Sequence, residues 1–432
     1  MSALPSQVNY NEPLLRLPEN TTNFLAAALP TNGSSFGPGS IAQVDLQTNR
    51  GFLDPASLSI RYKVVVSSAN GTRAKLVGTP AYTFINKYVC YANSQTIETI
   101  SNYNTVANLL TNLKLSTAQK LGQQYSLGYL AEDPIDPVNN EDIDGRICAA
   151  TSDTFYVSAP LYSLIGNSEK LIPLFLLQNM RMEFTFESLS NISSNLENDV
   201  KASNYTISNF EVVYNVIDFG AEIQRQIMTE SPQILIKTSS YNTSVAPIAI
   251  NTSGNINLIY NLRYASIKSA FLNFGGTSND DVSGSANKNM DSFDITQGSG
   301  DYSLQIAGIS YPQKSLSTSM NKAGIMNELR RAMGSLFNNN NSMAINSLEF
   351  RKEDGSGTDI NIPAKFWVGF NLQKLTIESK AFFSGISTSN SPITAIINTN
   401  NATTQSINAM LIAVYDAIIQ IDTQSKQCVI VS

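Results

Sequence analysis

Several stretches of this chain alternate apolar and polar residues with a period of two, the mark of a strand with one face in a core and the other in water. In "SLSIRYKVVV" the apolar positions are Leu58, Ile60, Tyr62, Val64 and Val66, while Ser59, Arg61 and Lys63 take the opposite face. "NMRMEFTFE" keeps the same time. Met180, Met182, Phe184 and Phe186 point one way, and Arg181, Glu183, Thr185 and Glu187 fall on the wet side. Phe210, Val212, Tyr214 and Val216 repeat the rule, as do Ile256, Leu258, Tyr260, Leu262 and Tyr264. Turn residues such as Asn70–Gly71, where positive φ costs little, separate the runs.

The period changes in three places. Val106, Leu109, Leu110 and Leu113 in "TVANLLTNLKL" recur at helical spacing. "AEIQRQIMTE" is a helix that stops before Pro232 and marks a junction. "KAGIMNELRRAMG" offers a third helix, with Ile325, Leu329 and Met333 as its buried stripe and Gly334 as its stop. The remaining long segments read as loops. Residues 1–40 form an extended arm, and the segment after Leu161 is a surface-like loop leading into the strand at Met180. Six carboxylates and two prolines crowd residues 131–144, and 275–301 is a long polar excursion.

The succession strand, short helix, long polar loop and closing β segment occurs twice. "EVVYNVID" around Tyr214 is echoed by "IAVYDAII" around Tyr415 about 200 residues later. The expected division is an arm at 1–40, a first β domain at 41–218, a linker helix at 219–231 and a second β domain at 232–432.

Composition narrows the chemistry. Only 14% of the 432 residues are charged, so Asn, Ser, Thr and Gln supply much of the surface, as suits β faces and turns. A net charge of −6 has the wrong sign for a general nucleic-acid binder, and no run of Lys and Arg exceeds two. With no histidine, Ser-His-Asp and Cys-His sites and histidine-bearing zinc sites cannot be built. Cys90, Cys148 and Cys428 form no CxxC pair and are expected to be buried free thiols. No P-loop or dinucleotide fingerprint is present. Sequons at Asn70, Asn191, Asn204, Asn242 and Asn401 matter only if the chain is secreted, and "MSALPSQVNYNEP" lacks the apolar core of a signal peptide. The best apolar run, "KLIPLFLLQNM", is too short and too broken by Pro173 to span a membrane.

Three candidate sites survive this filter. Glu183 and Glu187 could form a hydrolytic carboxylate pair, but on one straight strand they lie about 13 Å apart, beyond the roughly 5–9.5 Å such sites need. The acidic 132–144 stretch offers oxygen ligands for Ca²⁺ without the EF-hand spacing. Trp367 with Phe366 and Phe370 in "KFWVGF" reads as core, with a sugar-stacking platform or a subunit contact as alternatives. None is assigned as a catalytic, cofactor or metal site.

The order of segments resembles the double jelly-roll major capsid proteins of the lineage that includes adenovirus hexon, tailless membrane-containing phages, giant viruses, virophages and polinton-like elements. "FLDPASLSIRYKV", "FYVSAPLYSLIG", "LIPLFLLQNMRMEFTF", "YTISNFEVVYNVID", "YSLQIAGISYPQKSLS", "NELRRAMG" and "AVYDAIIQID" carry the likeness across nearly the whole chain. The resemblance implies an all-β fold of two tandem eight-stranded jelly rolls, with short helices in the connecting loops. It implies a homotrimer of six rolls, a pseudo-hexagonal capsomer that tiles an icosahedral shell, located in the virion. Implied partners are neighbouring capsomers, a penton or vertex protein, minor or cement proteins and often an internal membrane, without sequence-specific nucleic-acid binding. No cofactor and no enzymatic activity are implied. Two other readings stand beside it: a secreted tandem β-sandwich adhesin that binds glycans, and a carbohydrate-active enzyme using paired carboxylates.

Overall fold

The computed structural model describes residues 21–46, 50–68, 74–129, 147–148, 152–177, 179–194, 202–276, 292–334, 343–345, 349–350, 365–374, 383–403 and 406–432. The alternating segments all form strands. Phe52–Ser68 buries Leu58, Ile60, Tyr62, Val64 and Val66 and leaves Arg61 exposed. It pairs antiparallel with Ala202–Asp218 on one side and with Ser152–Pro160 on the other.

Thr22–Ala28 lies inside the segment expected to be an arm, yet it is a sheet strand. It pairs with Ala202–Asp218 from Thr22↔Asp218 to Ala28↔Val212. The edge of the long strand offers unpaired N–H and C=O groups, and this short apolar segment satisfies them. The facing sheet runs Ile41–Asp45, Arg181–Phe186, Ile85–Ala92 and Gln95–Ile100.

The second half repeats the plan. One sheet runs Gln233–Ile248, Ile407–Asp422, Ile267–Gly276 and Val368–Asn371, with Cys428–Val431 added beside Ile407–Asp422. The other runs Gly254–Tyr260, Ile393–Thr399, Gly300–Ile306 and Ile309–Ser317. With the eight main strands of each half counted along the chain, the sheets read 1-8-3-6 and 2-7-4-5 in both halves. Tyr214 and Tyr415, the echoed pair, both lie on strand eight.

The longest helix of each half occupies a matching place, between strands five and six. In the first half, Tyr103–Lys114 buries Val106, Leu109, Leu110 and Leu113. Thr117–Gly122 follows, opened by a Ser116–Gln119 capping box. In the second half, Thr318–Ala332 buries Ile325 and Leu329 while Met333 packs part-buried. Between the halves, Ala221–Glu230 is helical and buries none of its residues.

Aromatic rings fill both sandwiches. Phe184 meets Phe210 at 5.0 Å between centroids, and Phe350 meets Phe366 at 5.1 Å. Trp367 is fully buried, and its indole N–H donates to Asn273 Oδ1 at 3.0 Å. It is a core residue, as are Phe366 and Phe370.

Two local expectations are corrected. The segment from Leu161 to Leu177 is surface-like only at its Glu169–Lys170 tip: Leu161, Leu164, Ile165, Leu174, Leu176 and Leu177 are all buried. Its apolar residues cluster without strict alternation because the connection is irregular: two buried apolar runs flank a polar tip at which Glu169 and Lys170 are exposed. Glu187 does not continue the wet face of its strand. The strand ends at Phe186 after a register shift at Thr185, and Glu187 turns inward.

Candidate assembly surfaces and the seam between the rolls

Strand five of the first sandwich, Gln95–Ile100, is the edge of its sheet, and the second sandwich packs against that edge. A row of polar contacts crosses there. Asn167 Nδ2 donates to the Ser239 carbonyl at 2.9 Å, and Tyr241 donates its hydroxyl back to Asn167 Oδ1 at 3.2 Å. Thr243 Oγ1 donates to the Ser101 carbonyl at 3.1 Å. Thr238 donates to the Leu164 carbonyl, and Asn93 donates to the carbonyl of Lys426. Farther along, the Ala344 N–H donates to the Asn112 carbonyl at 2.8 Å.

Two ionisable side chains anchor this seam. Lys114 donates to the Tyr241 hydroxyl at 3.1 Å, with its ammonium 5.2 Å from the Tyr162 ring centre. Burial works to lower the Lys114 pKa, but the Tyr241 and Tyr162 oxygens outweigh it and hold it above the ordinary lysine value. Glu98 is only 3% exposed. Its carboxyl accepts from the Leu164 N–H at 2.8 and 2.9 Å and from the Ser240 hydroxyl of the second sandwich. Desolvation pushes Glu98 up to about 7, against the lowering pull of those two donors.

Sequence reading passed over Glu98, although a signal was present. It stands two residues before Ile100, in the inward phase of "QTIETI", where a carboxylate has no place unless something answers it. The seam itself had no signature, since its partners are separated by more than a hundred residues in several pairs, 142 for Glu98 and Ser240.

The candidate residues fall in different places. Glu183 faces outward, accepting from Gln43 and Tyr91 at 3.2 Å each and lying 3.7 Å from Arg181. Glu187 is buried among amides, accepting from Asn104 at 2.9 Å, Asn191 at 3.1 Å and Asn86 at 3.3 Å. The two carboxylates share no face and form no pair. The acidic 132–144 stretch and Asn70 lie outside the described residues. So does 277–291 of the expected polar excursion. The 292–296 part is buried, where Asp294 accepts from Thr296 and Tyr302 and pairs with Lys322 at 3.1 Å. At three sequons the amide nitrogen that would carry a glycan is already a donor: Asn191 to Glu187, Asn242 to Tyr264 and Asn401 to Thr296. Cys90, Cys148 and Cys428 are buried and form no disulfide with one another. Among the described residues no group of His, Cys, Asp and Glu could hold a metal ion, and no helix is long and apolar enough to cross a membrane.

Outward-facing apolar residues lie on both sandwiches. In the second, Leu235, Gln420 and Val429 share one register row, and Lys237, Ile418 and Val431 share the next alternate one. Leu235 is 51% exposed and Val429 45%. In the first, Phe24, Leu25, Leu29 and Ile41 are exposed. The outer face of Phe52–Ser68 carries a groove of about 320 Å³ lined by Arg61, Lys63, Tyr125, Tyr156 and Glu211.

No family model and no curated protein matches the sequence. Solved structures do match its fold from end to end. PBCV-1 VP54, as fitted into a cryo-EM reconstruction of the virophage Sputnik, superposes with a TM-score of 0.62 at 12% identity, covering 98% of this chain and 99% of that one. The Faustovirus major capsid protein gives 0.61 at 8% identity over 96% and 92%. The mavirus major capsid protein gives 0.53 at 10% identity over 100% and 95%.

The chain is a double jelly roll. The expected all-β architecture of two tandem eight-stranded rolls with short connecting helices holds. The part-buried row of contacts from Asn93 to Thr243 is then the seam between one roll and the other.

Proposed function

We propose that this double jelly roll is a viral major capsid protein, a structural building block of an icosahedral virion shell and no enzyme. Three copies associate into a pseudo-hexagonal capsomer of six rolls. The observation that carries the reading is the repeated 1-8-3-6 and 2-7-4-5 topology, with a polar seam locking the two rolls into one body. A near-equivalent pair of rigid rolls gives threefold association a six-cornered outline. The whole-length likeness to the Faustovirus and mavirus major capsid proteins supports the same reading.

In this role the first roll precedes the linker at 219–231 and the second, 232–432, follows it. The exposed Leu235, Val429 and Val431 rows and the Phe24–Leu29 edge serve contacts between copies, where apolar area gains most from leaving water. A surface poor in Lys and Glu suits repeated packing, because each long side chain immobilised at an interface costs about 0.5–1.5 kcal/mol. Partners are neighbouring capsomers, a vertex protein and minor capsid proteins, over an internal membrane where one exists. Direct sequence-specific nucleic-acid binding plays no part in this role.

Light scattering on the purified chain tests the trimer. The expected particle is about three times the 47.0 kDa chain mass. A stable monomer that binds glycans through the Arg61–Tyr156 groove would overturn the reading in favour of an adhesin.

A further inference from the structure

Glu98 sits where three parts of the chain meet. Its own strand is the edge of the first roll, the connection after Leu161 brings the Leu164 N–H, and the second roll brings Ser240. Leu164 is also held from the far side, since its carbonyl accepts from Thr238, two residues before Ser240 on the same strand. The contacts close a ring: Glu98 to Ser240, along the strand to Thr238, across to Leu164 and back to Glu98.

The titratable groups facing this carboxyl are all uncharged near neutrality. Cys90 stands opposite it in register, and Tyr88 lies on the same neighbouring strand. Tyr103 opens the helix Tyr103–Lys114, and Tyr264 and Tyr415, stacked at 3.8 Å, come from the second roll. Cys428 of the last strand faces Cys90. The lysines on these elements are engaged or outward. Lys114 binds Tyr241, Lys268 pairs with Asp416 at 2.6 Å, and Lys87 and Lys237 are exposed. A negative charge on Glu98 is therefore answered by dipoles and by no ion pair among the described residues, and burying a charge on those terms is costly.

We propose that Glu98 is a proton-operated latch between the two rolls: protonated, it seats the first roll's edge strand and Leu164 against Ser240, and ionised, it draws water into the seam and loosens it. This goes beyond the capsid reading and holds for the single chain whether or not it assembles. The direction in pH follows from burial. The closed seam keeps its proton up to about 7, whereas an opened seam releases it near the ordinary 4.5. The stabilisation is full below about 4.5 and is lost as pH rises through about 7. The latch is thus closed in mildly acidic surroundings and relaxed in alkaline ones.

Hydrogen exchange on the full chain, corrected for the intrinsic pH dependence of amide exchange, tests the latch. It compares wild type with Glu98→Gln, which keeps the shape without the charge. Between about pH 5 and about pH 8, opening of the segments 95–100, 161–167 and 238–243 is expected to rise roughly ten- to a hundredfold in wild type and to stay flat in the variant. Equal pH dependence in both proteins, or a rise spread evenly over both rolls, overturns the proposal. Should the variant fail to fold, infrared spectroscopy of wild type decides instead. A protonated-carboxyl band that fades with a midpoint near 7 supports the latch, and no such fading band across that range overturns it.

Discussion

At the scale of single residues, the tightest demands are steric, and they fall on glycines whose backbone angles are ordinary. A Cβ on Gly385 would sit 2.2 Å from the Ile267 carbonyl oxygen and 2.4 Å from its carbon. Both atoms belong to backbone already fixed by the Ile267↔Ile386 bridge, so neither can retreat cheaply. Gly122, at the end of a short helix, has nothing within 4 Å of the same position. The two sites therefore predict opposite outcomes for one substitution. Gly385→Ala should cost about 1–3 kcal/mol through forced backbone movement. Gly122→Ala should be neutral or stabilise by up to about 1 kcal/mol, because alanine loses less freedom on folding. Urea midpoints of the two variants, measured beside wild type, check both signs at once.

At the scale of elements, strand phase is kept by deliberate irregularities. Ala202–Asp218 shifts register between Ser208 and Glu211, and Asn209 takes a positive φ of 50° there. The extra residue lets Ile207 and Phe210 both face the core, although three positions separate them. Asparagine tolerates that left-handed geometry and a β-branched residue does not. Asn209→Val should lose about 1–2 kcal/mol while Asn209→Gly stays close to wild type, read from thermal unfolding. The same bulge shows what sequence could reveal. Phe210, Val212, Tyr214 and Val216 were legible because water on one face makes alternation visible. Glu187 was misplaced because period two was extended one residue beyond a register shift that no local pattern announces. The depth of the Leu161–Leu177 connection is hidden for the converse reason, since its buried apolar runs flank a polar tip and follow no regular period. The duplicated topology was legible as an order of elements, but the seam was not. Its pairing of Glu98 with Ser240 is a product of folding, not of spacing.

At the scale of the molecule, the question is what keeps two rolls acting as one body. The covalent link is the Ala221–Glu230 helix, which buries none of its residues fully and packs only the part-buried Ile227 and Met228 against the core, so it clamps the rolls weakly. A tether of this length contributes chiefly by raising the effective concentration of one roll at the other's surface. The seam works differently. Its hydrogen bonds join Asn167, Ser239, Tyr241, Thr243 and Ser101, each contributing about 0.5–1.5 kcal/mol net. Buried apolar residues flank them, among them Leu164 and Ile236. If that interface carries the association, the tether is dispensable once both rolls have folded. A specific protease site built into the outward face of that helix, at Arg225–Gln226, should then be cut without separating the halves. The two fragments should leave a non-denaturing gel-filtration column together, at the position of the uncut protein, and should part only in denaturant. Fragments that elute separately would mean that the connection, and not the seam, sets how the rolls stand, and a capsomer built on their fixed geometry would lose its physical basis.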